Sequence, residues 1–305
     1  MRIGVTVGLG EHSETDICGL VKRVKELEAR GFPTVWMPTG PGFDPVTALA
    51  VAGAQTSTIE LGSAVVPTWP RHPVALAQQA LTAQAAAGGR FTLGVGISHQ
   101  VMMTGALGLP YDRPLRHIRE YLEVINPLVD GSPVSFRGEV YNVSIELSVS
   151  NAVAAVPVVL AAMGPAMLRL AGTATAGTIT SWVGPRTLAD HIVPTIESAA
   201  AAAGRVAPRV VVGLPIALTH DPEQVRDRLA DQAAVYATLP SYRAMLAREG
   251  AAGPADVALC GDEAALDAGL DRLRNAGATD FAAQLLPLGT GSVAARTIEY
   301  LASRL

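Results

Sequence analysis

The chain has 305 residues, 49% of them hydrophobic, a formal net charge of −4 and two cysteines. That length and apolar content allow a large core without disulfides, and Cys18 and Cys260 are too few and too far apart for a disulfide framework or a cysteine metal box. The charges are scattered, with no basic stripe for nucleic acid, and no uninterrupted apolar run nears the roughly 18 residues of a membrane span.

The chain begins Met1-Arg2-Ile3 and runs straight into a strand-like segment over 3–7, with no signal peptide, so a cytoplasmic protein is expected. Residues 16–30 follow as a helix with Ile17, Leu20, Val21, Val24 and Leu27 on one face, stopped by Gly31. The second strand covers 34–37 and its helix 45–55, with Asp44 as N-cap. Strand 60–66 and helix 73–87 come next, then strand 91–96 and helix 114–129. The core face of that helix is Ile118, Tyr121, Leu122, Ile125 and Leu128, and Pro127 is expected to kink it or stop it early. Residues 134–136 and 140–143 flank Arg137-Gly138-Glu139 and read as a small hairpin. The alternation resumes with strand 157–162 and helix 165–176, then strand 178–183 and helix 187–203. Strand 210–218 is followed by two helical stretches, 222–249 and 262–276, and strand 280–286 by helix 292–304.

Eight strands, each followed by helix with no break in composition, predict an α/β fold: one (β/α)8 barrel of the TIM type over residues 1–305, with insertions after strands 4 and 7. An open doubly wound sheet is the alternative. No GxxxxGK[ST], GxSxG, HExxH or CxxC motif is present. Gly94-Val95-Gly96-Ile97-Ser98-His99 starts like a dinucleotide fingerprint but has His99 where the third glycine belongs. No metal site is expected.

In such a barrel the chemistry comes from residues just past each strand. After the second strand stand Pro38 and Thr39, the Thr39 hydroxyl able to hydrogen-bond a ligand, with an ordinary loop as the competing role. After the third come Ala64, Val65, Pro67 and Trp69, then Arg71-His72-Pro73; small residues at a strand end point to a bulge or a close ligand, or to plain barrel packing. After the fourth, Gly96 lets the backbone approach a flat ligand, and Ile97, Ser98, His99 and Gln100 follow. After the fifth, Ala161-Ala162-Met163-Gly164-Pro165 exposes backbone N–H groups at a helix start, able to hold a phosphate, though glycine and proline also suit a plain tight turn. Trp182 after the sixth can wall a pocket or simply pack the rim. The segment 286–291 after the eighth is a further phosphate or loop candidate.

Taken in order, 62–73 with its Arg-His-Pro ending, 94–100, the stretch from Tyr111-Asp112-Arg113-Pro114 to Glu120-Tyr121-Leu122, 161–172 and 259–281 resemble the luciferase-like monooxygenase superfamily. The resemblance covers nearly the whole chain, and is strongest to the branch of oxidoreductases that use coenzyme F420, a deazaflavin. It implies a cofactor across the C-terminal mouth, a non-proline cis peptide at Ala64–Val65 under the central ring, and phosphate contacts at Ala162, Met163 and Gly164. It also implies Gly96, Ile97 and Ser98 beside the ring, and Pro38 and Thr39 near the reacting carbon. The sugar-phosphate dehydrogenases of that branch carry an acidic-His pair after the second strand; Pro38-Thr39 stands there instead, against a sugar phosphate as substrate.

The expected function is hydride transfer between F420 and a small, largely apolar alkene, imine or ketone, with Trp69 and Trp182 walling the pocket. His99, or else His72, is the expected proton donor. Two alternatives are an FMN-dependent monooxygenase fed by a partner reductase and a non-catalytic ligand-binding barrel. A homodimer with a small-molecule substrate is expected, without nucleic acid or membrane partners.

Overall fold

Aspartate and proline set the helix starts. Asp16, Asp44, Asp221 and Asp262 each accept a backbone N–H from three residues ahead, at 2.7, 2.9, 3.0 and 2.9 Å. These caps open α1 (Ile17–Ala29), α2 (Pro45–Gly53), α8 (Pro222–Gln232) and α11 (Glu263–Asn275). Proline, whose missing N–H costs nothing at this position, begins α2 and α8. It also begins α3 (Pro73–Ala86), α4 (Pro114–Val129), α5 (Pro165–Ala174), α6 (Pro185–Thr187) and α10 (Pro240–Glu249). The remaining helices are α7 (Val193–Ala202), α9 (Ala234–Thr238) and α12 (Ser292–Ala302).

The computed structural model describes residues 1–8, 16–152, 154–286 and 292–305. Its strands are, in chain order, β1 (Arg2–Thr6), β2 (Thr34–Met37), β3 (Glu60–Ser63) with its continuation β4 (Val66–Pro67), and β5 (Phe91–Gly96). A hairpin of β6 (Val134–Arg137) and β7 (Asn142–Ile145) lies off the barrel. Then come β8 (Val158–Ala161), β9 (Gly177–Ser181), β10 (Arg209–Leu218), a short β11 (Leu259–Gly261) and β12 (Asp280–Leu285). β12 pairs with β1 from Arg2↔Asp280 to Thr6↔Gln284, and β10 lies between β9 and β12, so the parallel sheet closes on itself as the predicted barrel. The open doubly wound sheet is thereby excluded. Among the described residues, no helix is long and apolar enough to cross a membrane.

The departures from the sequence reading have local causes. The third strand is not continuous over 60–66 but splits at Ala64–Val65. The stretch 222–249 is three helices, because Pro240 cannot continue α9. Pro127 lies inside α4, which runs on to Val129. The start of 187–203 is wound as a π turn over Leu188–Ile192 before α7, and a second π turn, Val101–Ala106, follows β5. β11 was not foreseen; it pairs with Ile216–Leu218, the part of β10 that overshoots the barrel. Residues 287–291, a phosphate candidate, lie outside the described residues.

Two cores result. The larger lies between barrel and helices; the smaller fills the barrel with Trp36, Val159, Ile179, Val211 and Ala282. Trp36 is fully buried, and a Cβ on Gly62 would sit 2.3 Å from its ring, so glycine is needed to seat it. Below the tryptophan, the first residues of four strands form an ion network. Arg209 bonds Glu60 at 2.6 Å and Asp280 at 2.7 Å, and Arg2 bonds Glu60 at 2.7 Å. The Arg209 guanidinium also lies over the Trp36 ring, 5.5 Å from its centroid. The N-terminal end of the barrel is therefore plugged, and the C-terminal end is the one available for chemistry.

Candidate active site

The floor of the C-terminal mouth is made by the split strand. Leu61↔Phe91 and Gly62↔Thr92 pair on one side of the break, and Val66↔Val95 and Pro67↔Gly96 on the other. From 62 to 66 one strand advances four residues while its neighbour, from 92 to 95, advances three, so an extra residue bulges out. The Ala64–Val65 peptide in that bulge is cis, as the resemblance implied. The Ser63 hydroxyl fixes the bulge from below, donating to Gly94 O at 3.0 Å and accepting Gly94 N–H at 2.8 Å. A Cβ on Gly96 would lie 2.9 Å from Val65 Cγ2 and 3.0 Å from Ala161 Cβ. Val65, Gly96 and Ala161 thus meet in a low, smooth surface, with Ala64 and Pro67 half-buried beside it. Pro38 is half-buried past the end of β2 and Thr39 is exposed.

Beyond Ala161 the chain turns through Ala162, Met163 and Gly164 into α5. Ala162 is buried, and its carbonyl accepts the Thr178 hydroxyl at 3.2 Å. Met163 O accepts the Nε2–H of His191 at 2.8 Å, which ties the turn to the π segment before α7. Gly164 is the N-cap of α5, and among the described residues no side chain caps that helix and nothing lies within 4 Å of a Cβ placed on Gly164. The chain holds a second Gly-Pro helix start, Gly184-Pro185, with the opposite outcome. There Glu249 fills the space, accepting the N–H groups of Arg186 at 3.1 Å and Thr187 at 2.7 Å. The first N–H groups of a helix carry a partial positive charge and bind anions, so of these two Gly-Pro starts that of α5 is left for a ligand.

One rim of the mouth is aromatic. His99 is half-buried, its ring 5.6 Å from Tyr242 and 6.5 Å from Tyr236. Trp182 lies 5.5 Å from Tyr236, which in turn lies 5.0 Å from Tyr242. The insertion after β10 therefore packs Tyr236 and Tyr242 against His99, and Tyr236 against Trp182; sequence reasoning missed both tyrosines. Burial disfavours the imidazolium and lowers the pKa of His99 below the usual 6.5. Ser98 and Trp182 adopt left-handed backbone, φ 57° and 59°, uncommon for residues other than glycine.

Trp69 belongs to a separate group. It stacks on His117 at 3.7 Å and tilts against Tyr111 at 5.3 Å, and Tyr111 donates to Ser98 O at 3.1 Å. Trp69 and Trp182 thus belong to different aromatic groups rather than packing together. Ile97 is half-buried between Gly96 and Ser98. His72 is exposed at the start of α3, where its Nδ1 accepts Val74 N–H at 3.3 Å and its ring meets Tyr141 edge-on. That cap places the ring proton on Nε2, the nitrogen left to give it.

These features agree with what the chain is similar to. The F420-dependent glucose-6-phosphate dehydrogenase of Beutenbergia cavernae is 33% identical over 198 residues, which is 63% of this chain and 58% of that protein. The 5,10-methylenetetrahydromethanopterin reductase of Archaeoglobus fulgidus is 30% identical over 149 residues, 48% of this chain and 44% of that protein. The chain thus spans about half the length of the curated relatives it matches. Among solved structures, an F420-dependent secondary alcohol dehydrogenase in complex with an F420–acetone adduct superposes with a TM-score of 0.83 at 18% identity, covering 100% of this chain and 98% of the other. At that identity the likeness speaks for the fold. The model of the family described as luciferase-like monooxygenase matches residues 1–303, and the chain belongs to that family.

Proposed function

We propose that the protein is an oxidoreductase that moves hydride between coenzyme F420 and a small, largely apolar organic substrate. The observation that carries this reading is the pairing of a smooth floor at Val65, Gly96 and Ala161 with an uncapped helix start at Gly164. A flat ring fits the floor, and a phosphate fits the N–H groups of the α5 start. The F420-dependent relatives support the choice of cofactor. When bound, a deazaflavin supplies a carbon that accepts or donates hydride and lacks the nitrogen through which flavins react readily with oxygen.

The protein's own part is to hold, to shield and to move a proton. Met163, Ile97, Trp182 and Tyr236 give the mouth apolar walls that exclude water. The uncapped N–H groups and the His191-pinned turn hold the anionic end. His99 is the residue assigned to the proton. Its lowered pKa keeps it neutral at pH 7, so it is poised to take a proton from an alcohol as hydride leaves the carbon. In reduction of a ketone the same imidazole, once protonated, returns it. Pro38-Thr39, standing where the sugar-phosphate dehydrogenases carry an acidic-His pair, supports an alcohol–ketone pair over a phosphorylated sugar.

The test is titration of the purified protein with F420 and with FMN, followed by fluorescence. F420 is expected to bind. Gly164→Glu should weaken that binding about 100-fold by placing a carboxylate at the phosphate position, a difference of about 2.7 kcal/mol. Gly164→Ala, which meets only open space, should bind normally, and both variants should melt like the parent. Tight retention of FMN without F420 binding would overturn the proposal.

A second prediction concerns His99. His99→Gln should slow hydride transfer from propan-2-ol by roughly 100- to 1000-fold, the usual worth of a general base. In the parent protein, activity should persist as the pH falls through 6.5 and drop only at lower pH, because the neutral base survives down to its depressed pKa. That acid limb should be absent from the variant's pH–rate profile.

A further inference from the structure

Trp69 packs on two rings, His117 and Tyr111, and the group is anchored to the mouth. The stack with His117 is close to parallel, at 7°, while Tyr111 leans on Trp69 at 36°. The Trp69 Nε1 is enclosed and has no hydrogen-bond partner among the described residues, where the ring is held by stacking rather than by a polar contact of its own. His117 is buried in α4, and polar groups from two other segments fix its orientation. Its Nε2 lies 2.9 Å from Thr68 Oγ1 and its Nδ1 3.5 Å from the Tyr141 hydroxyl.

The hydrogens in this chain can be assigned. Thr68 Oγ1 donates to Gly96 O at 3.3 Å, and a hydroxyl has one hydrogen to give. His117 Nε2 then donates to Thr68, and Nδ1 accepts from Tyr141. The relay runs one way, from Tyr141 through His117 and Thr68 to the Gly96 carbonyl. It suits a neutral imidazole, and burial pushes the His117 pKa down to about 4 despite the nearby Glu120 carboxylate. Glu120 itself is held by the N–H groups of Glu139, Val140 and Tyr141, so the hairpin that presents Tyr141 is tied to the same helix.

Both ends of the assembly reach the mouth. Thr68 binds Gly96 through its backbone N–H at 2.9 Å as well as its hydroxyl, and Tyr111 holds the carbonyl of Ser98. Trp69 follows Thr68 directly. We propose that His117 is a positioning residue that holds the Trp69 indole as a rigid wall of the substrate pocket and so sets the size of substrate admitted. The proposal rests on the hydride-transfer reading above for its substrate, but not for the clamp. A wall locked before binding loses no rotamer freedom when substrate arrives, and cannot swing aside for a larger one.

Three variants test it: His117→Ala removes the stack, His117→Phe keeps a stacked ring without the polar contacts, and Trp69→Leu removes the wall itself. In the ligand-free protein, the near-ultraviolet circular dichroism assigned to Trp69 by difference from Trp69→Leu should collapse in His117→Ala and persist in His117→Phe. With F420, the parent should prefer propan-2-ol to cyclohexanol. His117→Ala should shift the ratio of kcat/KM toward cyclohexanol by about ten-fold, mainly through a higher KM for propan-2-ol, while the Kd for F420 changes less than about two-fold. Trp69→Leu should give the same shift and the double variant no more, because the two residues act as one unit. His117→Phe should restore the parent ratio.

An unchanged dichroism band in His117→Ala, or an unchanged ratio in both His117→Ala and Trp69→Leu, overturns the inference. Failure of the unmodified protein to bind F420 overturns the cofactor reading instead. The dichroism measurement then decides the clamp by itself.

Discussion

Replacing Gly94 with alanine should destabilise the protein by about 3 kcal/mol or more, a cost at the upper end of overpacking. The added Cβ would stand 2.0 Å from the carbonyl oxygen of Ser63 and 3.1 Å from Val65 Cγ1. A backbone oxygen in a closed barrel has no rotamer to escape into. Relief requires the bulge between β3 and β4 to move, and the bulge carries Val65 and sits beside Gly96. Stability and F420 affinity should therefore fall together in Gly94→Ala, whereas in Gly164→Ala neither should. Thermal unfolding and a cofactor titration on the two variants make the comparison. A Gly94→Ala protein that melts like the parent would overturn the expectation that the Ser63–Gly94 contact is unyielding.

Arg209→Met carries the second large effect. Arg209 binds two carboxylates, and removing it leaves Glu60 and Asp280 partly buried against each other, with Arg2 as the remaining cation. Breaking a buried pair in this way costs about 3–5 kcal/mol, mostly because the surviving charge is stranded. At roughly 2–4 °C per kcal/mol for a large domain, the melting temperature should drop by about 10 °C. Glu60→Gln in the Arg209→Met background should recover part of the loss, since it removes one stranded charge.

The pH dependence has a defined sign. Burial raises the Glu60 pKa, but the Arg209 charge and hydrogen bond, the Thr92 hydroxyl and Arg2 outweigh it, and the net shift is downward from 4.5. A carboxyl with a depressed pKa stabilises the fold above its unfolded value and loses that contribution as pH falls toward the folded one. The parent should therefore lose stability from about pH 4.5 downward. Arg209→Met should lose less over that interval, its stabilising cation being already absent. Melting curves from pH 7 to pH 3 read this directly.

Periodicity was enough to place every barrel strand, because each carries an apolar run bounded by glycine, proline or an N-cap. It could not show that the third strand breaks: the small residues there left a bulge and plain packing both open, and the ordered motifs implied the cis peptide. The floor residues Val65, Gly96 and Ala161 were legible for a related reason. Small residues at strand ends leave room, and room is visible in a sequence. Gly164 and Gly184 were not distinguishable, as each precedes a proline at a helix start. The difference is Glu249, more than sixty positions away from either in the case of the second and further from the first. Tyr236, Tyr242 and His191 were missed because their contacts depend on how helices after β9 and β10 fold back over the mouth. His117 had a faint signal: it lies four residues before Tyr121, on the same face of α4, and a histidine at that spacing on an apolar face is buried. The cap that His72 makes was not legible, because a histidine next to a helix start looks the same whether or not its Nδ1 accepts from the first turn.

The plugged floor has a consequence for traffic. With Arg209, Glu60, Asp280 and Arg2 sealing one end and Trp36 filling the bore above them, the barrel is a blind alley and not a tunnel. Whatever enters must leave by the way it came. Where two ligands overlap in such a space, the outer one has to depart before the inner one can. Exchange of the deeper ligand is then gated by vacancy at the door, whatever its own affinity.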